Sequence, residues 1–230
     1  MAETPRFAHL AVVVFLGAGF LSAAGLLVAF SAALARAARV ARAALAASAA
    51  VGCGYLALLL AVAAASPSRT LEPGGRKYFC EVDCHLAYSV ERVDYAESLG
   101  PEARPLAAEG RFVVLSLRTW FDERTISARR GDGPLTPNPR SVELVDEAGR
   151  RYPPSARAAA ALGQSSTPLD RPLRPGESYL TVLVFDLPAS ARNPRVLVAD
   201  RDPVARLLVD HENSPGHGKI YLPLSPGPLR

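Results

Sequence analysis

Methionine occurs once in this 230-residue chain, as Met1, tryptophan once, as Trp120, and histidine four times. Sulfur is nearly as scarce, with three cysteines at Cys53, Cys80 and Cys84. There is no phosphate-binding loop, no dinucleotide fingerprint and no nucleophile elbow, which removes the common nucleotide-dependent and α/β-hydrolase classes. No asparagine meets the glycosylation rule, since Asn213 is followed by Ser214 and Pro215. Charge is missing from two long stretches, Leu10 to Leu34 and Ala43 to Ala65. At about 1.5 Å per helical residue, each is long enough to cross a hydrocarbon core of about 30 Å.

Arg36, Arg39 and Arg42 lie between the two runs. Arginines in short loops stay on the cytoplasmic side. The runs therefore read as a transmembrane helical hairpin over residues 1–65, with a cytoplasmic turn and both ends outside the cytoplasm. A cleaved signal peptide ending near "LSAAG" is the other reading of the first run. Small residues line each run: Ala18, Ser22, Gly25, Ala29 and Ala33 in the first, and Ala47, Ala50, Gly54, Ala57, Ala61 and Ala64 in the second. Small faces let membrane helices approach closely.

Four of the 26 basic residues and one of the 22 acidic residues precede Ser66, so the rest of the chain is nearly neutral. The basic excess is mostly an orientation signal. It is not a nucleic-acid footprint, which needs a basic patch on the folded domain.

Residues 66–77, "SPSRTLEPGGRK", have a tether's composition. Beyond them, over residues 78–230, short strand patterns dominate: "HLAYSV", "RFVVLSLRTW", "SVELVD", "ESYLTVLVFDL", "RVLVAD", "ARLLVD" and "KIYLPL". Prolines fall in the connectors. "RFVVLSLRTW" is apolar on both faces, which marks an interior strand. "SARAAAALGQ" suits one helical turn or a long loop. The whole predicts an all-β antiparallel sandwich behind the hairpin.

Part of this region resembles a bacterial immunoglobulin-like family, that of extracellular immunoprotective antigens and related lipoprotein domains. The residues carrying the resemblance are Leu144, Asp146, Gly149 and Tyr152 in a hairpin, then Leu173, Pro175, Gly176 and Glu177 in a turn. Leu183 to Asp186 and Pro188 complete it in the following strand. The stretch runs from about Gly110 to Pro188. The resemblance implies an immunoglobulin-like sandwich and brings no catalytic residues.

"YFCEVDCHLAYSV" lies outside that pattern. In an oxidising compartment, Cys80 and Cys84 could pair. In one extended strand they would stand roughly 13 Å apart, whereas a disulfide needs Cα atoms within about 7 Å. A disulfide thus requires a turn at Glu81 to Asp83. Haem attachment reads C-x-x-C-H, and here one residue too many intervenes. The C-x-x-x-C spacing is similar to that of membrane-anchored copper-delivery proteins and to half of the binuclear copper motif of oxidase subunit II. Tyr88 stands where that motif has a histidine, and its methionine is absent. A copper site would draw on Cys80, Cys84 and His85, with His211 and His217 from "DHENSPGH". Asp122 and Glu123 read as a solvated turn, and "RGD" at Arg130 to Asp132 as a chance tripeptide.

The sequence thus predicts an inner-membrane protein with an extracytoplasmic C-terminal domain. That domain is expected to be a non-catalytic binding or accessory module whose partners are the membrane and other envelope proteins. No cofactor is expected, and the alternative is a copper-binding or thiol-redox protein.

Overall fold

The computed structural model describes residues 8–79, 85–126 and 129–225. The chain divides into two compact units. One holds Ser68–Asp202 with the chain from Lys219 onward; the other holds Pro5–Pro67 with Pro203–Gly218.

The helical unit is built on α1 (Ala8–Leu34) and α2 (Ala38–Ala65). Both are long and apolar enough to cross a membrane by length and composition. Their large apolar side chains, Phe20, Leu27 and Phe30 among them, point outward. Most of the small face of α1 packs: Ala18, Ser22 and Gly25 are partly covered and Ala29 is buried, but Ala33 is exposed and Ala32 is buried in its stead. A side chain at Gly25 would run into Ser48 Oγ, which bonds the Ala44 carbonyl and lies 3.3 Å from the Ser22 carbonyl. On α2 the small stripe read from the sequence faces outward. The contact face runs through Ala41, Ala44, Ser48, Val51, Tyr55, Leu59 and Ala63 instead. Steps of three and four residues keep that row on one side of the helix. An alanine-rich helix offers several small stripes, and Ser48 opposite Gly25 selects among them.

The β unit has two sheets. The stretch read as a tether already contributes to both. Arg69 and Thr70 form β1, held in parallel to β9 (Ile220–Pro223), and Lys77 opens β2 (Lys77–Phe79). β2 pairs with β3 (Leu86–Leu99), β3 with β4 (Leu106–Phe121), and β4 with β7 (Ser178–Pro188), all antiparallel. The second sheet runs β1-β9-β8-β5-β6, with β5 at Arg140–Val145, β6 at Arg151–Tyr152 and β8 at Arg195–Asp200. β4 lies between β3 and β7; Val113, Leu115 and Leu117 are buried on its inner face, and on the outer face Phe112 is buried while Val114 and Trp120 are half-buried. Val113, Leu115, Leu117 and Phe121 face Val142, Leu144, Val196 and Val198 in one shared core. Burying each such side chain contributes about 1.5–3 kcal/mol.

On the outer face of the first sheet sits α3 (Ala156–Leu162), over Phe112 and Val184. Ser155 caps it by accepting from Ala158 N, and Gly163 ends it at φ 68°, a left-handed conformation that glycine adopts without strain. The outer edge of β7 is satisfied at Val182. Ser166 Oγ donates to the Val182 carbonyl and accepts from its N–H, in place of a neighbouring strand.

"ARLLVD" was expected to be a strand. Val204–Leu207 is instead a 3₁₀ helix that starts after Pro203 and leads into a left-handed Asp210 at φ 62°. It belongs to the helical unit.

Candidate functional site

The antiparallel register places Phe79 opposite Leu86, so β2 and β3 meet where the cysteine-containing stretch joins them. Cys80 and Cys84 themselves lie outside the described residues. The described side chains around this junction form a connected polar group. β4 ends at Phe121, and the 3₁₀ turn Glu123–Thr125 follows. Asp122 caps that turn and is almost wholly buried, at 1% exposure. It accepts from Arg124 Nε and Nη2, both at 2.9 Å, from Arg124 N, and from Tyr78 Oη at 2.5 Å. The Arg124 hydrogen bonds, opposed by burial and aided by Tyr78, hold the Asp122 carboxyl down at about 2. Burial, and then this same carboxylate, push the Tyr78 phenol up.

His85 belongs to the same group. Its backbone carbonyl accepts from Asp122 N, and its ring stacks on Phe121 with centroids 5.4 Å apart. Thr125 Oγ1 gives its proton to the Asp122 carbonyl and lies 2.6 Å from His85 Nδ1. With that proton committed, Nδ1–H is the donor of the His85–Thr125 bond, and a neutral ring carries its lone pair on Nε2. Outside this group, the Trp120 ring lies 4.0 Å from the Arg76 guanidinium and 5.3 Å from that of Arg124.

A second group is folded into the core. Lys77 is 3% exposed, and its Nζ donates to the carbonyls of Val198 at 2.6 Å and Ile220 at 2.9 Å. Arg140 and Asp200 stand opposite one another across β5 and β8 and form a buried ion pair. Asp200 Oδ1 also accepts from Asp202 N. The Phe79 ring receives both cations, with Arg140 Cζ at 4.1 Å and Lys77 Nζ at 5.1 Å from its centroid. Tyr88 packs edge-on to the same ring, and burial pushes its phenol up to about 12.

A cleft of about 310 Å³ opens where the chain crosses from β1 to β2, lined by Arg69, Glu72, Arg76, Lys77 and Tyr78 among others. The two arginines against one carboxylate suit an anionic group there.

The other histidines lie in the helical unit. His211 Nδ1 accepts from Asn213 N, which fixes its neutral tautomer. His217 Nδ1 donates to the Gly218 carbonyl, and its Nε2 lies 3.4 Å from Asp210 Oδ1. Among the described residues, no three His, Cys, Asp or Glu side chains gather as a metal-ligand set.

No protein-family model and no curated protein matches this chain. Solved structures similar to it include a secreted protein from Mycobacterium tuberculosis, MPT63. It is 12% identical over 68% of this chain and 97% of its own, with a TM-score of 0.42. A conserved hypothetical protein from Bacillus anthracis is 20% identical over 55% of this chain and 86% of its own, with a TM-score of 0.37. Neither likeness assigns a function.

Of the residues that organise the β2–β3 junction, the sequence singled out His85 as a ligand candidate but gave no such weight to Tyr78, Arg124 or Thr125. Asp122 was expected in a solvated turn, and the structure buries it as the hub of the polar group. The spacing "DERT" carried the signal, because an aspartate before a short turn, with threonine three residues on, is a capping pattern.

Proposed function

We propose that this chain is a membrane-anchored module whose immunoglobulin-like β unit lies outside the cytoplasm and acts without catalysis, as a binding or accessory part of an envelope assembly. One observation carries the reading. Two apolar helices joined by an arginine-bearing turn lead directly into a β unit in which the buried Asp122 and Lys77 serve structural bonds. Lipid is the solvent that matches the outward Phe and Leu side chains of the helices, and the arginines set the turn in the cytoplasm. The cleft at the β1–β2 crossover, lined by Arg69 and Arg76, has a shape and charge suited to a ligand.

Topology reporters test the orientation. Alkaline phosphatase, which folds only outside the cytoplasm, is expected to be active when fused after Arg230 and inactive when fused in the turn after Ala37. The reverse pattern sinks the proposal.

In this reading Cys80 and Cys84 form a disulfide, which suits the compartment. Full chain purified without reductant and then unfolded is expected to show one titratable thiol, from Cys53, rising to three after reduction. About one copper per chain, lost in Cys80→Ser, would favour the copper alternative instead.

A further inference from the structure

Between β8 and β9 the chain leaves the β unit for sixteen residues, Pro203–Gly218, and packs with the helices. Tyr55, on α2, donates its hydroxyl to the Leu207 carbonyl. Tyr55 stands ten residues before the end of α2, about 15 Å along the helix. At the other end of the excursion, Gly218 N donates to the Ser66 carbonyl, just past that helix end. The segment therefore runs back along the outer portion of α2. The Phe15 ring lies beside Tyr55, with centroids 6.1 Å apart. Tyr55 thus holds the segment beside the apolar run Ala43 to Ala65, about 15 Å in from its outer end.

The segment is built to tolerate that level. Its turns close on themselves: His211 N bonds Leu208 O, Ser214 N bonds His211 O, and His217 N bonds Ser214 O. Ser214 Oγ, in a buried side chain, bonds Leu208 O. Backbone groups near hydrocarbon have to be satisfied within the protein. The 3₁₀ helix then sorts its side chains by threes. Ala205 and Leu208 turn inward, at 2% and 9% exposure, while Val204 and Leu207 share an outward face at 49% and 50%. Arg206 occupies the remaining side and is exposed, where a long stem can carry its charge to a lipid phosphate.

We propose that Pro203–Gly218 is a membrane-dipping loop whose Val204–Leu207 face enters the acyl region of the outer leaflet, with Tyr55 setting its depth. The inference rests on the reading of α1 and α2 as membrane-spanning. It makes the bilayer itself the partner of this surface and gives the chain a third membrane contact besides its two helices.

The single native tryptophan makes the test direct. Full-length Trp120→Phe chain carrying Leu207→Trp is reconstituted in phosphatidylcholine vesicles with or without bromine near the top of the acyl chains. Brominated lipid is expected to quench emission about two-fold, with a blue shift, as for a tryptophan in the acyl region. Adding Tyr55→Phe is expected to weaken that quenching. Leu26→Trp, in the same background, is the control for the helices, since Leu26 is 53% exposed and stands two-thirds of the way along α1. Quenching of both probes supports the loop. Quenching at Leu26 alone, with Leu207→Trp open to acrylamide, overturns the loop and leaves the anchor standing. Leu207→Trp shielded from both quenchers overturns it in favour of a protein partner. Failure at Leu26 overturns both readings.

Discussion

Asp200→Leu is expected to destabilise the β unit by about 3–5 kcal/mol, the usual consequence of leaving a buried charge without its partner. The carboxylate side chain is fully covered, and Arg140, its partner, is 3% exposed along its side chain. Lys77 lies equally deep, so the Asp200 carboxylate sits in a cluster that holds two buried cations. Phe79 cannot replace it. A cation over a ring face contributes about 0.5–2 kcal/mol, far below the desolvation of a guanidinium. The two carbonyls that hold Lys77 offer dipoles without net charge. Denaturant unfolding of the full chain in detergent, followed by Trp120 fluorescence, reads the loss. The double variant Arg140→Met/Asp200→Leu is expected to recover most of it, because the pair together stabilises little over apolar residues of similar volume. A loss under about 1 kcal/mol in Asp200→Leu would mean that water reaches this cluster and the charges are not locked in the core.

The sequence conveyed the periodic parts of the fold well. "RFVVLSLRTW" is apolar at successive positions, which marks a strand inside a sheet, and β4 lies between β3 and β7. "SARAAAALGQ" held a capping serine and a terminating glycine, and α3 uses both. Periodicity failed where charge faces inward. Lys77 looked like the end of a polar tether because nothing local shows that the carbonyls of Val198 and Ile220 wait for its ammonium. Arg140 and Asp200 are sixty residues apart and meet only through the β5–β8 register. "ARLLVD" satisfies an alternating pattern and a three-residue repeat about equally. Its packing with the helices decides between them, and that contact is set by Tyr55 far upstream. As for the predicted site, His85 is buried at the β2–β3 junction and bonded to Thr125, while His211 and His217 are held in turns of the helical unit.

Asp122→Asn is expected to weaken the β unit by about 2 kcal/mol at neutral pH. The carboxylate gathers donors from two elements, Tyr78 on β2 and Arg124 in the turn after β4, and so ties the start of the cysteine-bearing connection to the end of the central strand. An amide keeps the shape but loses the charge that makes these bonds strong. The pH dependence separates charge from shape. The folded carboxyl sits at about 2, below the ordinary value near 4, so folding favours its ionised form. Its contribution is complete above about pH 5 and disappears as pH falls toward 2. The stability gap between the unchanged chain and Asp122→Asn should therefore be constant from neutral pH down to about 5 and close below it. A gap that persists undiminished at about pH 3 would assign the effect to the cap geometry and remove the ion pair from the account. Trp120 supplies a second readout, because its ring lies beside the Arg124 guanidinium. Releasing that side chain should change the emission of the folded protein before any unfolding occurs, and Arg124→Gln should reproduce the change with Asp122 still in place.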